Sequence, residues 1–443
     1  MSDGGIAGAR VAVVGAGLAG LAAGVELAAR GCDVVLCERS RLLGGKTTSF
    51  RVGDVEVDSG QHVHLACCTE YVDFVGSVGM GDALWLQERF EAVVLRSGER
   101  PARLRAGRLP APLHLAASFA RYAPLGLRAR LEVARALLAV RRPGPARPGE
   151  TVAGWLRRHG QGAQATEAFW EPFMVPALNA PLAEASADDF LFTIRTAFLA
   201  DAGAARFGWS RVPLARIAEA AAMRLAEVRL RTAVTGLLGG PADPGGPDRV
   251  QGVRLAGGDA LQADAVVLAV PPSRLAGILV SPEALGVAGL DALRPEPIVD
   301  VHLWYEPAAL PEWEFAAILA SPLQWVFRKS AGYLCCSMSA AREAVKLPEA
   351  ELVDLCAREL EAAEPRLRGI RPVRGGAVRD PEATIVAPPG RRRPGPATAA
   401  PNVVLAGAWT DTGWPATMES AVRSGRAAAR LVRSRLERVR HAA

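Results

Sequence analysis

One strand–turn–helix–strand unit near the beginning of the chain limits its possible folds more than any other feature. The β-branched run Arg10–Val14 leads directly into Gly15-Ala-Gly-Leu-Ala-Gly20, and the helical segment Leu21–Arg30 is followed by a second strand, Asp33–Cys37. Glu38 ends that strand, 18 positions after the last glycine of the turn. A glycine fingerprint in this context predicts a Rossmann-like domain that binds a dinucleotide.

Each position of the fingerprint has a physical reason. Gly15 permits the tight turn, Gly17 lets backbone N–H groups approach a pyrophosphate, and Gly20 lets the helix pack close to the strand. The helix N-terminus adds partial positive charge near the phosphates. Glu38 is expected to accept hydrogen bonds from the adenosine ribose, which disfavours a phosphorylated ribose and hence NADP. The predicted dinucleotide contacts of this unit are Gly15, Ala16, Gly17, Leu18, Ala19, Gly20, Glu38 and Arg39.

The chain is long enough for two or three domains and apolar enough to bury a core. It has 443 residues, of which 50% are hydrophobic, and domains average roughly 150 residues. Its longest apolar stretches, Val11–Val25 and Pro394–Thr410, contain glycine or proline. Because no uncharged run reaches the ~18 apolar residues of a spanning helix, we do not expect an integral membrane protein.

The charge and cysteine content argue against a nucleic-acid-binding protein and against a disulfide-stabilised one. The net charge is +6, but only three of the 52 basic residues are lysine. This bias is typical of a GC-rich genome, and a basic composition alone does not indicate nucleic-acid binding. Seven cysteines without a Cys-x-x-Cys pair indicate a reducing compartment. Because the start of the chain lacks a cationic signal-peptide region, we expect a cytoplasmic location.

Two segments after the fingerprint indicate which dinucleotide is bound. Arg41-Leu-Leu-Gly44-Gly45-Lys46 and Asp58-Ser-Gly60-Gln61-His62 resemble the second and third flavin contacts of the amine oxidase and phytoene desaturase superfamily. Gly45-Lys46-Thr47 also resembles the end of a P-loop, but Ser40 stands where that motif needs a glycine. The resemblance therefore implies FAD.

The end of the chain resembles the same superfamily. Val403–Asp411 is typical of a strand entering a loop, and Thr417–Gly425 begins the last helix, whose N-terminus faces the pyrimidine edge of the flavin in the superfamily. The superfamily usually places an acidic residue, which contacts the ribityl chain, where this chain has Ala408, so we expect Asp411 or water to take that contact. The last cysteine, Cys356, lies well before this motif, so the FAD is expected to be noncovalent.

These motifs predict a discontinuous α/β fold. Val228–Leu237 and Ala265–Val270 add two β-like runs to the first unit. We predict a Rossmann-like FAD domain of the glutathione-reductase type from residues 1–85, 205–290 and 395–443. An α+β substrate domain, with a helical membrane-proximal part, is predicted from residues 86–204 and 291–394. Further predicted flavin contacts are Gly44, Gly45, Lys46, Gly60, Gln61, His62, Val234, Gly407, Asp411, Thr417, Met418 and Ala421.

One internal stretch narrows the resemblance. Phe169-Trp-Glu-Pro-Phe-Met-Val-Pro-Ala-Leu-Asn179, followed by Glu184-Ala-Ser186, is similar to the hydroxysqualene dehydroxylase family of bacterial hopanoid pathways. Gln324–Arg328 and Thr410–Glu419 fit that family too. It implies FAD-dependent reduction of hydroxysqualene, a C30 allylic alcohol, to squalene with loss of water.

Candidate catalytic and pocket residues follow from this chemistry. The reaction needs a proton donor, and a desolvated carboxyl at Glu171 would have a raised pKa. A structural ion pair is the alternative role for Glu171. His62 is a second candidate, although its motif position favours flavin packing. Asp188-Asp189 is expected only to begin a helix as a solvated cap. The predicted substrate pocket contains Trp170, Asn179 and Trp325.

Other functions stay open at this point. The first alternative is a phytoene- or squalene-type desaturase, in which electrons flow the other way. The second is an amine oxidase, although such enzymes usually flank the amine with two aromatic residues and this chain has four tyrosines. The third is a non-catalytic isoprenoid-binding protein. No metal is expected, because His62-x-His64 lacks a third ligand at a suitable spacing.

The segment Pro101–Arg142 predicts contact with a membrane surface. It holds nine arginines and one acidic residue, Glu132, so its net charge is +8. Leu115, Phe119 and Leu127 are expected to insert below the headgroups; an ordinary surface helix is the alternative. We expect a peripheral protein at the inner face of the cell membrane, an electron donor of unknown identity, and possible association with the preceding squalene-pathway enzymes.

Overall fold

The computed structural model describes residues 6–52, 55–240, 249–279 and 282–442. The strands are β1 (Arg10–Val14), β2 (Asp33–Cys37), β3 (Ser49–Val52), β4 (Val55–Asp58), β5 (His64–Leu65), β6 (Leu84–Leu86), β7 (Glu91–Leu95), β8 (Ala102–Arg105), β9 (Phe207–Ser210), β10 (Glu227–Arg229), β11 (Val234–Leu238), β12 (Gly252–Leu255), β13 (Ala260–Gln262), β14 (Ala265–Leu268), β15 (Arg294–Trp304), β16 (Phe315–Ile318), β17 (Trp325–Ser330), β18 (Tyr333–Ser339), β19 (Arg374–Val386) and β20 (Val403–Leu405).

The α-helices have the following bounds. They are α1 (Leu18–Ala28), α2 (Thr69–Ser77), α3 (Ala116–Ala120), α4 (Leu127–Val140), α5 (Val152–Arg158), α6 (Ala163–Ala165), α7 (Glu171–Leu178), α8 (Ala187–Ile194), α9 (Leu214–Ala222), α10 (Pro272–Ile278), α11 (Glu349–Ala363) and α12 (Met418–Ala442). Within the described ranges, no helix is both long enough and apolar enough to cross a bilayer.

A parallel five-stranded sheet organises the nucleotide domain. Its order is β10-β2-β1-β14-β20, and every neighbouring pair is parallel. The near-continuous apolar sequence of β1, β2 and β14 is typical of strands covered on both faces. Helices α1 and α12 pack on one face, and the β11–β13 meander with α10 packs on the other. The predicted fold class is therefore confirmed.

Two local predictions need correction. The first helix begins at Leu18 instead of Leu21, because the extended backbone of Gly17 already serves as its N-cap. The predicted run Val228–Leu237 is two strands, β10 and β11, which belong to different sheets. Arg231 between them has a φ of 53°, a left-handed conformation that no strand continues through.

A mixed seven-stranded sheet forms the base of the second domain. Its order is β19-β15-β18-β17-β16-β7-β8, antiparallel except for the β7–β16 pair. Along β15 the side chains alternate between faces. Val299, Val301 and Leu303 pack into the same core as α11, whereas Asp300 and His302 therefore point to the other face.

The segment Pro101–Arg142 forms β8, α3 and α4. Helix α4 buries Ala129, Val133, Ala136 and Val140. Its opposite face carries Leu127, Leu131 and Leu138, which are 73%, 50% and 62% exposed. The expectation for Leu115 and Phe119 is wrong, because both pack against the domain core and Phe119 meets the ring of Phe169 edge-on at 5.6 Å between centroids.

Candidate functional site

The glycine turn between β1 and α1 is shaped by backbone contacts on one side and open space on the other. A Cβ at Gly15, whose φ is +103°, would lie 2.6 Å from the carbonyl oxygen of Ala269, and a Cβ at Gly20 would overlap the carbonyl of Gly15. At Gly17, by contrast, no atom lies within 4 Å of a Cβ. No side chain caps α1. An uncapped helix N-terminus facing open space fits a phosphate.

Glu38 lies beside this turn, as predicted from the spacing. The parallel pairing of β1 with β2 aligns Val14 with Cys37. The Glu38 carboxylate accepts hydrogen bonds from the Ala16 N–H and the Ser40 N–H, both at 2.8 Å. A carboxylate has further lone pairs, so these bonds leave capacity for ribose hydroxyls. The neighbouring Arg39 is exposed.

The second motif packs directly on the glycine turn. The Gly44 N–H donates to the carbonyl of Ala16 at 2.9 Å, and Gly44 forms a parallel bridge with Gly17. A Cβ at Gly45 would lie 3.0 Å from the Cα of Gly17. On the β10–β11 side, the Thr232 N–H donates to the Glu38 carbonyl at 2.8 Å, two residues before Val234. The structure thus brings these separate predicted contacts together around one turn.

The second and third motifs contact each other, and the second also contacts the seven-stranded sheet. Lys46 Nζ forms an ion pair with Asp380 on β19 at 2.7 Å. His62 Nε2 donates to the Lys46 carbonyl at 2.9 Å. Burial lowers the pKa of His62, more strongly than the nearby Asp58 raises it. A neutral His62 whose Nε2 proton is already donated is a poor proton source for a substrate.

A buried carboxyl lies below the same motif. A Cβ at Gly60 would lie 3.1 Å from Oδ2 of Asp300. Asp300 is 2% exposed, and burial raises its pKa to about 6 although hydrogen bonds from Ser337 and the backbone of Gln61 oppose the shift. The Gln61 side-chain oxygen is itself buried and has no hydrogen-bond donor within the described part of the chain. The Asp300 carboxyl and the Gln61 side chain thus lie where the third motif contacts β15.

The C-terminal motif leads into α12, which packs in the same core as α1. The Gly407 N–H donates to Ser424 Oγ at 2.8 Å. Thr417 Oγ1 accepts from the Ser420 N–H at 3.4 Å, and the Ala421 N–H donates to the Thr417 carbonyl at 2.9 Å, so Met418 begins α12. Asp411 is exposed, and its carboxylate accepts from the Gly413 N–H at 3.1 Å. The arrangement presents the start of α12 as a second helix N-terminus.

The predicted pocket residues are held by structural hydrogen bonds. Trp170 is 1% exposed, and its indole N–H donates to Gln161 at 2.8 Å. Trp325 donates to the carbonyl of Pro172 at 2.8 Å. Asn179 donates to Thr384 and to the carbonyl of Glu296 and accepts from the Ala340 N–H. These bonds shape the wall of the substrate domain; contact with substrate stays a prediction.

Glu171, the candidate acid, differs in exposure from the Asp188-Asp189 pair. Glu171 begins α7 and is exposed, and its pKa is raised by partial burial and then by Glu167. Asp188 is exposed and accepts from the Ala146 N–H at 2.7 Å, but Asp189 is partly buried. The expectation of a solvated pair is therefore wrong for Asp189. The cap of α8 is Ser186, which accepts from the Asp189 N–H, as the Ser-x-x-Asp spacing indicates.

Asp189 lines a cavity between the two domains. The walls come from the end of α7, the start of α8, the end of β19 and Pro415–Ala416 of the C-terminal motif. Its volume is about 30 Å³, which is room for a water molecule. Arg393 also lines it and donates to the carbonyls of Ala408 and Trp414.

Over the described ranges, no cluster of three or more His, Cys, Asp or Glu side chains has the geometry of a metal site.

Comparison with known proteins decides the family. Residues 18–433 match the flavin containing amine oxidoreductase family. The chain belongs to this family. As a family member it is an FAD-dependent oxidoreductase, and the open space at Gly17, the uncapped start of α1 and the free lone pairs of Glu38 fit that cofactor.

Several relatives of this chain carry the name of an isoprenoid substrate in their own names. A hydroxysqualene dehydroxylase of Rhodopseudomonas palustris is 30% identical over 440 residues, covering 95% of this chain and 98% of the relative. The 15-cis-phytoene desaturase of Synechococcus elongatus is 23% identical over 461 residues and covers 96% of both chains. The resemblance inferred from the motifs is confirmed.

The fold agrees with solved structures of the family. Putrescine oxidase bound to putrescine superposes with a TM-score of 0.72 at 17% identity, covering 95% of this chain and 98% of the other. At this identity the likeness shows the fold and not the substrate.

Proposed function

We propose that this oxidoreductase reduces hydroxysqualene to squalene with loss of water. The end-to-end similarity to hydroxysqualene dehydroxylases, 26–30% identical over 95–96% of this chain, carries the proposal. The motif Phe169–Asn179 that suggested this family builds the wall of the substrate domain in which Trp170 and Asn179 are held.

The chemistry assigns separate tasks to the cofactor and the chain. Reduced FAD, when bound, supplies a hydride. The chain must bind the polyene, exclude bulk water and place a proton donor beside the leaving hydroxyl. The groups that would hold the FAD are the Gly15–Gly20 turn, Glu38, Gly44–Lys46 and the start of α12. The aromatic cluster around Trp325, which includes Phe173 and Phe207, provides an apolar region for the polyene.

An oxidative desaturase is the second candidate. The phytoene desaturase of Synechococcus elongatus covers as much of this chain as the dehydroxylases do. An amine oxidase is less well supported, because the four tyrosines, Tyr71, Tyr122, Tyr305 and Tyr333, are between 1% and 8% exposed. Buried tyrosines do not offer a pair of rings to a substrate amine.

The proposal includes docking on a membrane, since a C30 polyene is nearly insoluble in water. Each buried CH₂ is worth ~0.8 kcal/mol. The α4 face with Leu127, Leu131 and Leu138 exposes apolar side chains beside Arg128 and Arg135, a pattern typical of an interfacial helix. Anionic headgroups add about 1 kcal/mol for each nearby arginine. We therefore propose peripheral binding to the inner face of the cell membrane.

The test is anaerobic incubation of the reduced, FAD-loaded protein with hydroxysqualene. We expect squalene, with deuterium at the former carbinol carbon when the flavin carries deuteride. The same protein in oxidised form, incubated with squalene, is the control for the reverse direction. Consumption of squalene to a more unsaturated product, with no turnover of the alcohol, would support the desaturase instead. A purified protein without a flavin spectrum would leave only an isoprenoid-binding role.

A further inference from the structure

The cavity at the domain boundary is lined by an acidic side chain, Asp189. Among the described residues that line the cavity, Asp189 is the only one with a carboxyl group. Pro415 and Ala416, which also line the cavity, directly precede Thr417 and the start of α12, where the flavin is expected. The cavity is therefore lined both by residues of the predicted substrate domain and by residues next to the predicted flavin site.

Asp189 is held in position by its backbone and leaves its carboxyl group available. The N–H of Asp189 donates to Ser186, and its carbonyl accepts from Thr193 at 2.7 Å. Within the described ranges, no residue donates a hydrogen bond to its carboxyl group or pairs with it. Arg393 faces the same cavity, but its guanidinium donates to the carbonyls of Ala408 and Trp414.

We propose that Asp189 is the catalytic acid that protonates the leaving hydroxyl of the substrate; this inference rests on the proposed dehydroxylation. The proton passes from the Asp189 carboxyl to the hydroxyl oxygen as the C–O bond breaks, and the electron pair of that bond leaves with water. Reduced FAD, when bound, would supply the hydride that the allylic carbon needs. Asp189 regains a proton from solvent, so each turnover consumes two electrons and two protons.

The surroundings keep Asp189 protonated more readily than an exposed aspartate. Burial raises its pKa, and the nearby carboxylates of Asp188 and Asp411 raise it further, while the charge of Arg393 lowers it. The product water needs little space, and the cavity volume of about 30 Å³ is enough for one molecule. Glu171 has a raised pKa as well but is exposed and does not line the cavity.

The experiment compares Asp189→Asn with Asp188→Asn, a matched variant one residue away. An asparagine at 188 keeps an oxygen that accepts from the Ala146 N–H. Each FAD-loaded protein is reduced with dithionite without oxygen and mixed with hydroxysqualene in detergent micelles. Flavin reoxidation and squalene are followed in a single turnover between pH 5 and pH 9. FAD content and thermal unfolding are measured alongside.

We expect Asp189→Asn to slow the single turnover on the order of 10²-fold or more, with FAD content unchanged, and Asp188→Asn to stay within about twofold. The parent rate should fall as pH rises through the pKa of Asp189, because the protonated form is the active one, and Asp189→Asn should lose that fall. Asp189→Glu, which keeps an acid, should recover part of the rate. Infrared difference spectra should show a protonated carboxyl band that is lost in Asp189→Asn and retained in Asp188→Asn.

The outcomes separate this inference from the proposed function. If the parent forms squalene and Asp189→Asn is equally fast, or if Glu171→Gln is slow while Asp189→Asn is not, the acid is not Asp189. An infrared band unaffected by Asp189→Asn overturns it as well. If the parent does not react with hydroxysqualene, the proposed function fails and the role of Asp189 fails with it.

Discussion

The carbonyl oxygen of Ala19 occupies the space in which a side chain at Gly425 would begin. Ala22 Cβ and Ala23 N also lie 3.0 Å from a Cβ built there. The first and last helices of the described chain therefore cross at a glycine, which brings the starts of α1 and α12 to the same side of the parallel sheet. The close crossing connects the ends of the sequence to one site.

Gly425→Ala is expected to lower stability by about 1–3 kcal/mol, since an added methyl group must push α1 and α12 apart. The midpoint of thermal unfolding should fall and the purified protein should hold less FAD. Gly76→Ala is the control, because Gly76 is exposed in α2 and has no atom within 4 Å of a Cβ. Equal unfolding midpoints for the two variants would contradict the close crossing.

Gly17→Val should fold normally and purify without colour. No protein atom would meet a Cβ at Gly17, but the side chain would fill the space predicted for the pyrophosphate. The ratio of flavin to protein absorbance measures the loss, and circular dichroism checks the fold. Gly76→Val, at an equally open glycine outside the site, should keep full FAD. A Gly17→Val protein with stoichiometric FAD would contradict the assigned phosphate site.

Replacing Leu127, Leu131 and Leu138 by Ser, together with Arg128→Gln and Arg135→Gln, should release the protein from anionic vesicles. Arg130 is left unchanged, because it donates to the carbonyls of Ala120 and Tyr122 and so holds the α3–α4 turn. Binding of the parent to phosphatidylglycerol vesicles should weaken with salt, as measured by cosedimentation. FAD content should not change.

The control removes positive charge from another surface. Arg358→Gln with Arg368→Gln changes two exposed arginines on and after α11 and should leave vesicle binding near that of the parent. If the α4 variant sediments with vesicles as well as the parent does, α4 is an ordinary surface helix.

Asp300→Asn should remove a pH dependence of stability. The pKa of Asp300 in the folded protein, about 6, lies above the value of roughly 3.9 expected in the unfolded chain. The folded state therefore holds this proton more tightly, and stability falls as pH rises between these two values. From pH 4 to pH 7 the free energy of unfolding of the parent should fall by up to about 3 kcal/mol because of this group. The thermal midpoint of the parent should therefore fall relative to that of Asp300→Asn over the same range. A constant difference between the two proteins would refute the raised pKa.

Local sequence was sufficient for the nucleotide unit. β1, the glycine turn and β2 lie at the predicted positions, and Glu38 lies beside Ala16, because a strand, a tight turn and a short crossover leave few geometries for thirty residues. The same holds for the C-terminal motif, in which Thr417 and Met418 begin α12. The identity of the family followed from these short segments.

Tertiary structure decided which side of each helix is buried. Asp188 and Asp189 are neighbours in sequence, yet one is solvated and the other lines a cavity to which the end of β19 and Pro415–Ala416, more than 190 residues away, contribute. Leu127 is exposed and Leu115 is packed for the same reason. Composition and motif spacing show which residues a segment contains. Its burial depends on the surface that distant elements place against it. In this chain those surfaces come from the seven-stranded sheet and the C-terminal motif.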